Sequence, residues 1–308
     1  MPPGIGASGF AGLAIETVPG TYLAPTKFFP FESESLAWQQ DTTFRRPIRQ
    51  SADNIGAVLG NGHVEGDISM EALEDVVPYF LHAARTTPVK TGAGPNYVYT
   101  YKGSAAAIPS KTLSITIVRN GAIFAYTGVV VSSFTFTIDA MILKFTASLI
   151  GRDEATQSAP TPTFINTAPF GAGLYAVQLN AATLTDADTF TFQVEDNGAA
   201  QNRIGATRAA QFVNYGERNV TVSMDRDFID RTEYDTFKSL TAQALHLDAT
   251  KNVNNKISID VPVGYRSEYA IALGGQGDLL RVSNSWTATI DATGNAYTVV
   301  VACQENIT

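Results

Sequence analysis

The chain has 308 residues, a formal net charge of −8, a hydrophobic share of 44% and a charged share of only 16%. Its length suits about two domains, and its apolar content is that of an ordinary folded protein rather than a disordered one. The densest basic cluster is Arg45-Arg46 with Arg49, which excludes tight groove reading of nucleic acid, because that needs grouped Lys and Arg against phosphates.

Taken from the start, residues 1–9 are dominated by Gly and Pro and read as a mobile beginning. A strand-like run follows at Leu13–Val18, closed by Pro19-Gly20, and Phe28–Trp38 and Phe44–Arg49 look extended. Val64–Met70 alternates as a strand should. A helical pattern covers Glu71–Ala84, with acids early enough to suit the positive end of the helix dipole. Pro78 inside it predicts a kink or a late start. Tyr97–Tyr101, Thr112–Arg119 and Ala122–Tyr126 read as strands, the last two joined by the hairpin signal Asn120-Gly121.

From Val129 to Ile150 the pattern is a long antiparallel pair. One face carries Phe134, Phe136 and Ile138; the other carries Ser133, Thr135, Thr137 and Asp139. The returning strand sets Phe145, Ala147 and Leu149 against Lys144, Thr146 and Ser148. A period of two with one apolar face predicts a half-buried sheet. Pro160, Pro162, Pro169, Gly171 and Gly173 then predict a linker over residues 160–175. Beyond it, Phe190–Val194, Ala209–Val213 and Asn219–Arg226 look extended. Thr232 is placed to cap a helix running to about Ala242, with Glu233 and Asp235 in its first turn. Strands are expected at Ala244–Thr250, Lys256–Val263, Trp286–Asp291 and Tyr297–Ala302.

The halves resemble each other. Ser132-Ser133-Phe134-Thr135-Phe136-Thr137-Ile138-Asp139-Ala140 returns as Asn284-Ser285-Trp286-Thr287-Ala288-Thr289-Ile290-Asp291-Ala292. Ile68-Ser69-Met70-Glu71 returns as Val222-Ser223-Met224-Asp225, and Leu113–Ile117 as Ile257–Val261. Self-similarity at about half the chain length predicts two copies of one unit. The expected organisation is a first β domain over 28–159 and a second over 176–308, each with one helix on a sheet and a core of its own.

Motifs for chemistry are weak. Gly6-Ala7-Ser8-Gly9-Phe10-Ala11-Gly12 mimics a phosphate loop but lacks the strand before it and the helix after it. Gly274-Gly275-Gln276-Gly277-Asp278 reads as a loop between strands. His63, His82 and His246 share no metal-ligand spacing. The single cysteine, Cys303, reads as a small buried apolar residue and fits a reducing compartment. Acids and arginines between Asp225 and Glu233 alternate in sign, which predicts salt bridges, within the chain or between subunits, rather than a catalytic carboxylate pair. The acceptor patterns at Asn219 and Asn306 matter only in a secreted protein, and the start shows no signal-peptide pattern. No apolar run is long enough for a spanning helix.

Two stretches carry a family resemblance: residues 12–27, from Gly12-Leu13-Ala14-Ile15-Glu16 to Ala24-Pro25-Thr26-Lys27, with Phe29-Pro30-Phe31-Glu32-Ser33-Glu34-Ser35-Leu36, and Pro109–Thr116 leading to Tyr126-Thr127-Gly128. They resemble the major tail tube proteins of long-tailed (siphovirus-like) bacteriophages, in order and pattern over most of the chain. The resemblance implies a mainly β fold of two packed antiparallel sheets with a flanking helix, here in two tandem copies. It implies no enzyme activity and no cofactor or metal. It implies rings whose inner sheets join into a barrel around a lumen, stacked into a tube within the virion tail and assembled in the host cytoplasm.

With two copies per chain, three chains give a pseudo-hexamer; a homohexamer, with six chains in the ring, is the alternative. Other tail proteins are the expected partners, with DNA in non-specific passage and no membrane insertion. The expected lumen residues are Ser133, Thr135, Thr137, Asp139, Thr287, Thr289 and Asp291. The expected inter-ring arm is the extended segment 1–27 with Phe28, through Gly6, Phe10, Tyr22 and Phe28. The competing reading is a carbohydrate-binding or adhesive β-sandwich module, which would display Trp and Tyr on an open face.

Overall fold

Period-two alternation dominates the folded chain: it is mainly β and antiparallel, with two short helices. The computed structural model describes residues 9–48, 53–103, 109, 111–139, 141–164, 166–203, 207–272 and 278–307. The first half runs β1 (Phe10–Ile15), β2 (Lys27–Phe29), β3 (Ser33–Glu34), β4 (Ala37–Arg45), β5 (Gly56–Glu71), α1 (Val77–His82), β6 (Thr86–Ala93), β7 (Asn96–Gly103), β8 (Leu113–Arg119), β9 (Ala122–Asp139), β10 (Ile142–Gly151) and β11 (Asp153–Ala155). The second runs β12 (Tyr175–Leu179), β13 (Ala182–Thr183), β14 (Phe190–Glu195), β15 (Gly198–Gln201), β16 (Phe212–Tyr215), β17 (Asn219–Asp227), α2 (Thr232–Lys238), β18 (Gln243–Asn252), β19 (Asn255–Ala272), β20 (Arg281–Ala288) and β21 (Thr298–Cys303).

One long sheet carries the architecture. Its strands follow the order β3/β4, β5, β10, β9, β14, β17, β20, β19. The two longest hairpin strands, β9 and β19, each belong to two layers. β9 pairs first with β8 and β11, then through its second part with β10 and β14. β19 pairs first with β18 and β21, then with β20. The outer layers are therefore β2-β1-β8-β9-β11 in the first half and β12-β18-β19-β21-β7-β6 in the second.

Turn chemistry sets the first crossing. Asn120 and Gly121 have φ of 49° and 82°, both left-handed, as a two-residue hairpin turn between twisted strands requires. Gly66, at φ 154°, lets the chain before β4 cross β5, where a Cβ would lie 2.6 Å from the backbone of Ser35 and Leu36. The first helix begins late, at Val77, with Pro78 in its opening turn. There the missing N–H has no intrahelical partner to lose. The second helix is shorter than its sequence suggests: Arg231, not Thr232, precedes it, and it ends at Lys238.

The halves are not separately closed, contrary to the expectation of two independent cores. β9 pairs with β14 from Ile138–Phe190 to Ser133–Glu195, and β7 pairs with β21. Phe134, Phe136, Phe145, Phe192 and Tyr297 form one fully buried aromatic cluster across the boundary. Each such side chain contributes about 2–3 kcal/mol through area removed from water. Polar clamps reinforce the join. Asp196 takes ion pairs from Arg85 at 3.0 Å and Arg218 at 2.7 Å, and Arg218 also donates to the Arg85 carbonyl at 2.6 Å. Buried Glu74 accepts from Lys251 and from Asn255, both at 2.6 Å. The Pro/Gly-rich stretch is seated too: Phe170 is fully buried and its carbonyl accepts from Leu143 N–H.

The two halves follow the same pairing route: β5-β10-β9 with β8 hairpinned to β9, and β17-β20-β19 with β18 hairpinned to β19. This corrects two of the three sequence matches. The Ser132–Ala140 copy closes β9, whereas Asn284–Ala292 begins within β20, a strand whose place corresponds to β10. Leu113–Ile117 is in β8, but Ile257–Val261 is in β19 rather than β18. Half-buried strands with hydroxyl faces look alike wherever they sit. Only Ile68–Glu71 and Val222–Asp225 hold corresponding positions.

Candidate functional site: the polar face of the long sheet

The side of the long sheet away from the core is a field of small polar groups in register. One row runs Ser33, Ser69, Thr146, Thr135, Gln193, Thr221, Thr287, Tyr265 across eight strands. The next runs Lys144, Thr137, Thr191, Ser223, Ser285, Glu268. Neighbours satisfy one another: Thr146 Oγ1 donates to Ser69 Oγ at 3.1 Å, Thr137 and Thr191 hydroxyls meet at 3.4 Å, and Ser283 donates to Asp225 at 2.6 Å.

Charge on this face is mainly negative, from Glu65, Asp67, Glu71, Glu195, Asp225 and Glu268. The cations Lys144 and Arg281 are each held by a carboxylate, Glu32 at 3.0 Å and Asp188. Hydrated hydroxyls beside unneutralised acids give a phosphate backbone nothing to grip, because binding requires release of its counterions by Lys and Arg.

The sequence-expected lumen residues divide. Ser133, Thr135, Thr137 and Thr287 share this face. Asp139 closes β9, with its side chain outside the described set. Thr289 follows directly on β20, its N–H still bonded to the Val263 carbonyl at 2.8 Å, whereas Asp291 folds a turn by accepting from Thr293 N–H at 2.8 Å, Asn295 N–H at 2.9 Å and the Thr293 hydroxyl at 2.8 Å. Those donors hold its carboxyl below the ordinary carboxylate value. The residues of β14, β17, β10 and β5 were missed, although the same alternation marks them.

The N-terminal segment divides as well. Phe10 lies in β1 opposite Val118 and packs edge-on against Phe28 at 6.1 Å; Phe28 is buried. Tyr22 hydroxyl meets Thr116 at 3.0 Å. Buried Glu16 accepts from Gly128 N–H, the Ser114 and Thr112 hydroxyls and Gly20 N–H, binding the segment to the outer layer. Apolar burial places β1 and β2 in the outer layer, and this carboxylate ties the mostly exposed connection between them to β8 and β9. Gly6 lies outside the described residues.

No other chemistry gathers. Among the described residues no group of His, Cys, Asp and Glu could hold a metal ion. His82 is buried against Tyr101, 2.9 Å from its hydroxyl, and burial lowers its pKa. Cys303 is buried, and burial pushes its thiol up to about 12. Arg226 pairs with Asp186 at 2.8 Å and Glu233 at 2.5 Å, so the acid–arginine cluster is satisfied within the chain. Trp286 is fully buried, its indole N–H donating to Gln243 at 2.9 Å, and Trp38 is half-buried. Neither indole offers the open face a glycan module needs.

A hydrogen-bonded polar sheet over a continuous aromatic core makes this a mainly β, antiparallel protein. The chain belongs to the phage tail tube protein family, whose model, described as phage tail tube protein, matches residues 6–288. That membership supports a structural role in the tail of a phage particle. No curated protein matches the chain. No helix among the described residues is long and apolar enough to cross a membrane.

Proposed function

We propose that this chain is the repeating subunit of a long-tailed phage's tail tube, and that its halves are tandem copies of one tube unit. Three chains then close a ring with six equivalent lobes, rings stack with other tail proteins at the ends, and the polar face of the long sheet lines the channel through which DNA passes. The observation that carries this reading is the β9–β14 pairing. It joins the four-strand sheet of one half to that of the other, edge to edge, with the hydroxyl rows in register. Repeating that join around a closed ring removes the exposed sheet edges that would otherwise recruit strands without limit. A face of Ser, Thr and Gln with excess carboxylates suits a conduit, which must let DNA slide rather than hold it. The role needs positioning and stiffness, not catalysis.

Negative-stain microscopy of concentrated protein tests the proposal. Rings viewed down the axis should show three two-lobed chains around a hole. A particle that stays a two-lobed monomer at every concentration would overturn it.

A further inference from the structure

The two ends of the long sheet differ from its middle. At one end, Tyr265–Ala272 of β19 pair with β20 on one side only; at the other, Glu32–Ser35 pair with β5 only, among the described residues. The middle join shows what such edges do in this protein, and the shared pairing route says which residues correspond. Met70 pairs with Phe145 and Phe145 with Phe136; Met224 pairs with Asn284 and Asn284 with Tyr269. Tyr269 thus stands where the first half has Phe136. Phe192 lies beside Val222 and Glu34 beside Ile68, so Glu34 stands where the second half has Phe192.

We propose that the Tyr265–Ala272 edge receives the Glu32–Ser35 edge of a second copy of this chain, antiparallel, with Ile271 opposite Glu32, Ala270 opposite Ser33, Tyr269 opposite Glu34 and Glu268 opposite Ser35. The proposal rests on the tube-subunit reading and gives its ring contact a polarity and a register.

Charge complementarity supports it. Inside the chain the join is aromatic, Phe136 and Phe134 against Phe192. At the open end the places of Phe136 and Phe134 hold Tyr269 and Arg266. Arg266 is only 2% exposed, stacks over Tyr269 at 5.1 Å and donates through Nη1 to the Glu233 carbonyl at 3.0 Å, with the Glu233 carboxylate 3.5 Å from Nη2, while its Nε has no hydrogen-bond partner and faces no second carboxylate among the described residues. The incoming edge brings Glu34, a carboxylate partly buried beside Arg119. A carboxylate arriving over a desolvated guanidinium is favourable, and two Tyr269 edges or two Glu34 edges are not. The contact is therefore head-to-tail, which closes into a ring when the rotation allows.

The helices agree. α1 is roofed by Tyr99 and Tyr101 of β7 and by Cys303 and Glu305, which continue β21, whereas α2 has no buried residue and shows Tyr234 and Phe237 beside Tyr269. The second half has no hairpin between α2 and β18 to match β6–β7, so these rings are left beside the open edge for a second copy to cover.

Cross-linking tests the register. Thr137 and Thr191, which occupy the corresponding places in the internal join, have hydroxyls 3.4 Å apart, so cysteines at Ala270 and Ser33 should meet between chains. The double variant Ala270→Cys/Ser33→Cys, assembled and mildly oxidised, should give a ladder of disulfide-linked chains on a non-reducing gel. The wild type, with only buried Cys303, and each single variant should stay as single chains. Rings or tubes by microscopy with no ladder would overturn the register while leaving the tube reading intact. A protein that forms neither rings nor a ladder would overturn both.

Discussion

The two helices sit at corresponding places in the two halves and meet opposite fates. Every residue of α1 is buried, with Phe80 packed against Phe29 and Phe145 and His82 against Tyr101. No residue of α2 is buried, and Tyr234, Phe237 and Tyr269 stack together near the surface. The first helix is sealed chiefly by its own half, by Tyr99 and Tyr101 of β7 and by Phe29 and Phe145, with the end of β21 beside them. The second helix has no such neighbour within one chain. Burial here follows what packs over the helix: the second half has no hairpin between α2 and β18 to match β6–β7, and a like contrast separates the closed β9–β14 edge from the open β19 edge.

That contrast can be broken most sharply at paired positions. Phe136→Ala should cost the isolated chain about 3–5 kcal/mol, the transfer and cavity cost of a buried aromatic. Tyr269→Ala, at the corresponding open position, should cost about 1 kcal/mol or less. Urea unfolding of the two variants measures both, and equal losses would mean the open edge is not open.

The polar clamps give a second contrast. Asp196→Ala leaves two guanidiniums facing each other without their carboxylate and should destabilise by about 3–5 kcal/mol. Asp235→Ala removes an exposed i,i+4 partner of Arg231 and should change stability by about 0.5 kcal/mol at most.

A third test separates stability from association. Tyr234→Ser with Phe237→Ser should leave the urea midpoint of the single chain within about 0.5 kcal/mol of wild type. It should nevertheless raise the concentration at which assembly appears in sedimentation. A variant that assembles as the parent does would show that α2 stays bare.

The smallest expected effect is a pH dependence in the second outer layer. His246 lies between Asp260 at 3.5 Å and Asp248 at 3.3 Å, with Lys256 paired to the same Asp248. The bond to Asp260 raises its pKa above the ordinary 6.5, against burial and with help from Asp248. The folded chain then holds that proton more tightly than the unfolded one. Its stabilisation is complete below pH 6.5 and fades as the pH rises through the raised value. His246→Asn should remove that slope, seen as a smaller difference between unfolding curves at pH 5.5 and 8.

Much of this was legible in the residues. Alternation from Val129 to Ile150 gave both faces of the central pair, Asn120-Gly121 marked the β8–β9 hairpin, and Pro78 announced the late helix start. What alternation cannot state is which strand lies beside which. It assigned Ser133, Thr135 and Thr137 to the polar face but not their neighbours Thr191 and Gln193, which come from the other half. Likeness of pattern also misled: Trp286 was matched to Phe134, yet it fills the place of Ala147, and Arg266 fills that of Phe134. The inter-ring arm over 1–27 is what the family resemblance implies; the buried Glu16 that ties the connection after β1 to the outer layer has no local signature in the residues.

Native mass spectrometry of the smallest closed assembly tests the central claim most directly, since equivalence of the two halves fixes how many chains complete a ring. The account predicts a mass of three times the 32.9 kDa chain. A closed ring of six chains would contradict it, because each chain would then act as one unit and the join within it would have no counterpart between chains.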